Sequence, residues 1–124
     1  MRIETVPNNV SREELIEKVQ TELGTMRPHS KALVLLDGKT TPYSSKTVQV
    51  DGHIIRYARI GQTLSTALCG AMADVIAIET TYRLPKEAVA TALVILNDHA
   101  DDHGVLICPA ELEEMLKNDR VEMD

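Results

Sequence analysis

Along this chain the spacing of apolar positions switches repeatedly between one period and another, and each switch predicts an element. Arg2 to Val6 alternates weakly, which predicts a short edge strand ended by Pro7-Asn8-Asn9. Leu15, Val19 and Leu23 then recur every fourth residue behind Ser11 and Glu14, whose spacing is that of a capping box. A helix over 11–23, closed by Gly24, follows. Lys31 to Leu36 (KALVLL) is a continuous apolar run bounded by Pro28 and Asp37-Gly38, the signature of a buried central strand. Thr47–Val50 and His53–Ile60 flank Asp51-Gly52, a pair suited to the positive φ angles of a tight hairpin turn, so a hairpin spans 47–60.

Beyond Gly61 the pattern becomes rich in Ala and Gly. Leu64, Leu68, Met72 and Ile76 form a helical stripe that predicts a helix over 63–80, with Ala67, Gly70, Ala71 and Ala73 allowing close helix approach. Pro85 opens a third helix over 85–103, built on the apolar run AVATALVIL and stopped by Gly104. Val105–Cys108 reads as a last strand and 109–117 as a short acidic helix, before a frayed tail. The expected class is α+β: a small, mostly antiparallel sheet (hairpin 47–60 plus strand 31–36) covered by helices 11–23, 63–80, 85–103 and 109–117. A chain of 124 residues without a low-complexity linker is expected to form a single domain, 1–124.

Composition changes this picture in three ways. The chain has no Phe or Trp and only three Tyr, so the core must be assembled from Leu, Ile, Val, Ala and Met. The apolar helices promise more buried surface than one face of a small sheet can cover, which predicts a homodimer or higher oligomer. Two cysteines exclude a disulfide framework, Met1-Arg2-Ile3-Glu4 offers no apolar leader, and Asp74, Glu79 and Glu87 interrupt any membrane-length run. The cytoplasm is the expected compartment, with no membrane partner.

Charge is distributed unevenly. Residues 1–60 carry a balance of +2 and residues 61–124 one of −8, giving the net −6. Segment 27–59 holds six basic residues against Asp37 and Asp51. Such a segment can receive an anion, while the acidic second half argues against sequence-specific nucleic-acid binding.

Candidate chemistry follows from these patterns. Lys39, Lys46, Arg56 and Arg59, with the rings of Tyr57 and Tyr82 and the guanidinium of Arg83, supply donors and stacking surfaces for an anionic ligand. Thr40, Thr41, Tyr43, Ser44 and Ser45 add hydroxyls to the same loop. Gly38-Lys39-Thr40 follows a strand but lacks the first glycine of a phosphate loop, and Pro42 blocks a helix there. His99 and His103 stand one helical turn apart, with Asp102 beside them as a third metal ligand, or else Asp98 or Glu79. The order His-x-x-Asp-His lacks the general-base glutamate of zinc-protease helices. Cys108, before a helix start, would feel a dipole that lowers a thiol pKa, although no histidine follows to activate it.

Three functions compete on these residues. The first is a non-catalytic, oligomeric protein that holds an anionic ligand, a nucleotide among the candidates, to sense or sequester it, with no cofactor. The second is a small enzyme whose divalent metal, such as zinc, sits on His99, His103 and Asp102. The third is an acidic interaction or inhibitor module presenting helices 11–23 and 109–117. No residue is assigned a catalytic role.

Overall fold

The structure is a computed structural model, describing residues 1–42, 45–61, 64, 68 and 71–123, with residues 101 and 118–123 described by backbone alone. Its elements are β1 (Arg2–Val6), α1 (Arg12–Gly24), β2 (Lys31–Leu36), β3 (Ser45–Val50), β4 (His53–Arg59), β5 (Val75–Ile78), α2 (Lys86–Ile95), β6 (Val105–Pro109) and α3 (Ala110–Met123). One six-stranded sheet runs through them in the order β1-β6-β5-β2-β4-β3.

The mixed α and β content is as the sequence predicts, but the sheet is mostly parallel. β1, β6, β5, β2 and β4 pair in parallel, and only the β3–β4 hairpin is antiparallel. The physical reason lies in three apolar runs, KALVLL, VIAI and VLIC, which form the adjacent central strands β2, β5 and β6. A parallel strand is covered on both faces, so it reads as a continuous apolar run instead of an alternation. Val75 to Ile78 lie at the end of the segment expected to be helical, and they are instead a strand, bonded to β2 on one side and β6 on the other. Earlier in that segment Leu64 and Leu68 are helical and fully buried, while 62–63, 65–67 and 69–70, including Cys69 and Gly70, lie outside the described residues.

Local signals fix the ends of the other elements. Ser11 Oγ accepts the backbone N–H of Glu14 at 3.2 Å, the first half of the expected capping box. Asp51 (φ 51°) and Gly52 (φ 82°) occupy the left-handed region that a two-residue hairpin turn requires. Asn8, from the segment after β1, caps the distant helix α3 by accepting the N–H of Glu111 at 3.0 Å.

Helices cover both faces. The chain steps from β1 to β2 in one direction along the sheet, then from β4 to β5 and from β5 to β6 in the other. With right-handed crossovers, that reversal puts the connections on opposite faces. Accordingly α1 packs Leu15, Val19 and Leu23 against Val34, Leu36, Ala77 and Ile107. The other face holds Leu64, Leu68, Ala88, Ala92 and Leu112 against Leu33, Leu35, Ile76 and Leu106. A fully buried Leu or Ile side chain contributes roughly 2 kcal/mol, so two such layers stand in for the missing large rings. The buried residues of these helices are covered within one chain, while Met72, Val94 and Met115 stay exposed.

The helix expected over 85–103 changes geometry twice. α2 ends at Ile95, a wider π-helical turn spans Leu96–Ala100, and a tight 3-10 turn covers Asp101–His103. Gly104 follows so closely that a Cβ there would lie 3.1 Å from that of Ala100. No helix among the described residues is long and apolar enough to cross a membrane.

Candidate functional site

A parallel sheet gathers the ends of its strands into two distinct edges, and this chain puts polar chemistry at each. At the carboxyl edge the loop after β2 leaves toward the hairpin, while the loop after β5 leaves the opposite way toward α2. Diverging loops open a crevice beyond the strand ends, the usual ligand position in open α/β sheets. Here the crevice is a cleft of about 640 Å³ lined by Asp37, Gly38, Lys39, Arg59, Ile60, Gly61, Tyr82, Arg83 and Pro85.

The cleft's framework is an internal ion pair. Arg12, in the first turn of α1, donates Nε and Nη2 to the two oxygens of Glu79 at 2.9 Å each. Nη2 also reaches Thr40 Oγ1 at 2.7 Å, and Glu79 Oε1 accepts the Asp37 backbone N–H at 2.7 Å. Thr41, almost fully buried, donates its hydroxyl to the Asp37 carbonyl at 2.7 Å. One bidentate pair therefore ties α1, the end of β5 and the loop 37–41 together. Gly38 is required there: a Cβ would stand 2.4 Å from the Ile60 carbonyl oxygen.

The cleft's own charges are left over from that pairing. Among the described residues, no salt bridge joins Lys39, Arg59 or Arg83 to a carboxylate. Lys39 Nζ lies 4.6 Å and the Arg83 guanidinium 5.3 Å from the centre of the Tyr82 ring, which is 46% exposed. Hydrogen bonding from Lys39, then the charges of Arg83 and Lys39, favour the phenolate and hold the Tyr82 hydroxyl below its usual value of 10. Arg83 adopts φ 59°, a left-handed conformation costly for a residue with a Cβ.

The structure thus brings together Lys39, Arg59, Tyr82 and Arg83 of the residues singled out from sequence, and separates the rest. Arg56 faces the α2 side of the sheet, opposite Leu33, and its Nε donates to Ser45 Oγ at 3.2 Å. Tyr57 faces the α1 side and packs against that core layer. Lys46, across from Tyr57 on the edge strand β3, is exposed. Tyr43 and Ser44 lie outside the described residues.

At the amino edge, His99 and His103 do converge, but on Asp74 and not on Asp102, which is exposed. Asp74 Oδ1 lies 2.9 Å from His103 Nε2, and Oδ2 lies 3.7 Å from His99 Nε2 while accepting the Lys31 backbone N–H at 2.9 Å. Burial works against ionising Asp74, yet the Lys31 donor, the His103 hydrogen bond and the two imidazoles prevail, holding the carboxyl below 3.8. Glu79 is at the other edge, paired with Arg12. Among the described residues no group of three or more His, Cys, Asp or Glu side chains is arranged to hold a metal.

Two further expectations change. Cys108 belongs to β6 and is fully buried, so desolvation first and Glu113 second push its thiol up to about 11. The dipole of α3, which starts two residues later, does not offset that burial. Sequence reasoning missed Asp37, Glu79 and Asp74 in their actual roles. The one signal for Asp37 was its position directly after an apolar strand, where the carboxyl edge must lie.

Comparison with protein-family models, with curated proteins and with solved structures finds no match for this chain.

Proposed function

We propose that the protein binds a small anionic ligand in the carboxyl-edge cleft, a phosphate-bearing molecule such as a nucleotide being the best fit. The observation that carries this reading is the meeting of Lys39, Arg59 and Arg83, none in a salt bridge with another described residue, around one cleft. Among the described residues only Asp37 opposes them there, so this lining carries a surplus of positive charge in a chain of net −6. Such local inversion attracts an anion that the rest of the surface repels. A cleft of about 640 Å³ is also larger than a lone phosphate needs and lies within the range of small-molecule sites.

Binding fits this cleft better than catalysis. Among the described residues the lining has no His, Cys or Ser; the groups there able to act as a base are Asp37, Tyr82 and Lys39, and the surplus of cations is its dominant feature. Sensing or sequestering the ligand, in the cytoplasm, is the corresponding role.

The test is thermal stabilisation of the full chain by a panel of nucleotides and inorganic phosphate. At least one member should raise the midpoint, with the shift lost in Arg59→Ala and Arg83→Ala. It should persist in Arg56→Ala, because Arg56 bonds Ser45 away from the cleft. No shift with any member, or equal shifts in all three variants, would overturn the assignment.

A further inference from the structure

Within that anion-binding reading, Asp37 is the feature out of place. A carboxylate inside a cationic cleft repels a ligand that is only an anion. It would be explained if it neutralised the neighbouring cations, but no ion pair joins Asp37 to Lys39, Arg59 or Arg83. It would also be explained if the loop consumed both its oxygens. Asp37 Oδ1 does accept the Lys39 backbone N–H at 2.9 Å, but among the described residues Oδ2 accepts no hydrogen bond.

The residue is nevertheless held rigidly. Its N–H donates to Glu79 Oε1 at 2.7 Å, and its carbonyl accepts the Thr41 hydroxyl at 2.7 Å and the Thr40 N–H at 3.3 Å. Its carboxylate is therefore presented at a fixed place on the cleft wall, two residues from Lys39 and at the end of a buried strand. A fixed acceptor beside cations that meet no described carboxylate suits a ligand that carries donors beside its negative charge.

We propose that Asp37 selects phosphate esters bearing vicinal hydroxyls, the sugar phosphate and ribonucleotide class, by accepting a ligand hydroxyl while Lys39 and Arg83 hold the phosphate. A hydroxyl bonded to a carboxylate replaces the repulsion with a charge-assisted hydrogen bond. An ester without hydroxyls leaves Asp37 unsatisfied against the phosphate.

Calorimetric titration of the full chain with inorganic phosphate, propyl phosphate and ribose 5-phosphate tests this. Ribose 5-phosphate should bind about 10-fold or more tightly than propyl phosphate, the ratio that one hydrogen bond to a charged group supplies. In Asp37→Asn the ratio should fall to near unity, while inorganic phosphate binds as well as before or better. Asn keeps the Oδ1 acceptor for Lys39, and retained phosphate binding reports an intact cleft. Asp37→Glu, which keeps the charge, should retain part of the preference. Equal binding of the two esters by the unsubstituted chain, or a preference that survives in Asp37→Asn, overturns the proposal and leaves anion binding standing. Failure of all three probes overturns anion binding as well.

Discussion

The two edges of the parallel sheet use similar residues to opposite ends. At the amino edge the carboxylate of Asp74 is sunk into the fold, and its compensating groups all belong to the protein: one backbone N–H and two imidazoles. At the carboxyl edge the half-buried carboxylate of Glu79 is likewise satisfied, by Arg12 and the Asp37 N–H, but a second tier of charge lies beyond it. Among the described residues, Lys39, Arg59 and Arg83 have no carboxylate within salt-bridge distance. Charges that complete one another stabilise the fold, whereas charges held apart by a rigid frame are available to a ligand.

Substitutions at the two edges should therefore separate stability from binding. The largest effect is expected from Glu79→Ala, which strips Arg12 and the Asp37 N–H of their shared acceptor. Discounted for the part-exposed Arg12, the loss should be about 2–3 kcal/mol in denaturant unfolding, with ligand binding lost as loop 37–41 loosens. Gly38→Ala should cost about 2 kcal/mol by the same measurement, because its Cβ meets backbone and not a movable side chain. A cost below a few tenths would mean that the two loops are not tightly apposed.

At the amino edge, Asp74→Asn should cost about 1–2 kcal/mol at neutral pH and leave cleft binding unchanged. The folded pKa of Asp74 lies below the unfolded value near 3.8, so its stabilisation is complete above that value. It is lost as pH falls through the folded pKa, and Asp74→Asn should flatten this acid limb in unfolding followed from pH 6 to pH 2. An unchanged acid limb would show that the histidines do not hold the carboxylate.

Arg83→Gly should leave stability within about 0.5 kcal/mol, relief of the left-handed strain offsetting the greater freedom of the unfolded chain. Phosphate affinity should nevertheless fall about 10-fold, the mark of a group kept for a ligand. The smallest effect concerns Cys108: in a Cys69→Ser background a thiol reagent at pH 8 should label it only upon unfolding, as expected of a thiol with a pKa near 11.

How much of this was legible in the chain depends on whether a signal is local. Ser11 with Glu14, Asp51 with Gly52, and the run Lys31–Leu36 each declare themselves within a few residues, because caps, turns and buried strands impose their own requirements on neighbouring positions. Val75–Ile78 does not. Four apolar residues between Asp74 and Glu79 are equally good as buried helix and buried strand, and only the parallel partners on either side decide. The candidate site divides the same way. Lys39, Tyr82 and Arg83 stand out as cations and a ring in loops, whereas Asp37 and Arg12 look like ordinary surface charges.

The sequence by itself determined the mixed class, the hairpin, the capped first helix and the absence of large rings from the core. Tertiary structure decided that the sheet is parallel, that Arg59 joins Lys39, Tyr82 and Arg83 while Arg56 and Tyr57 do not, and that His99 and His103 meet Asp74. The physical reason is distance along the chain. Periodicity and turn chemistry act over a few residues, but strand order brings together groups such as Arg12 and Glu79, 67 positions apart, and no local pattern encodes that meeting.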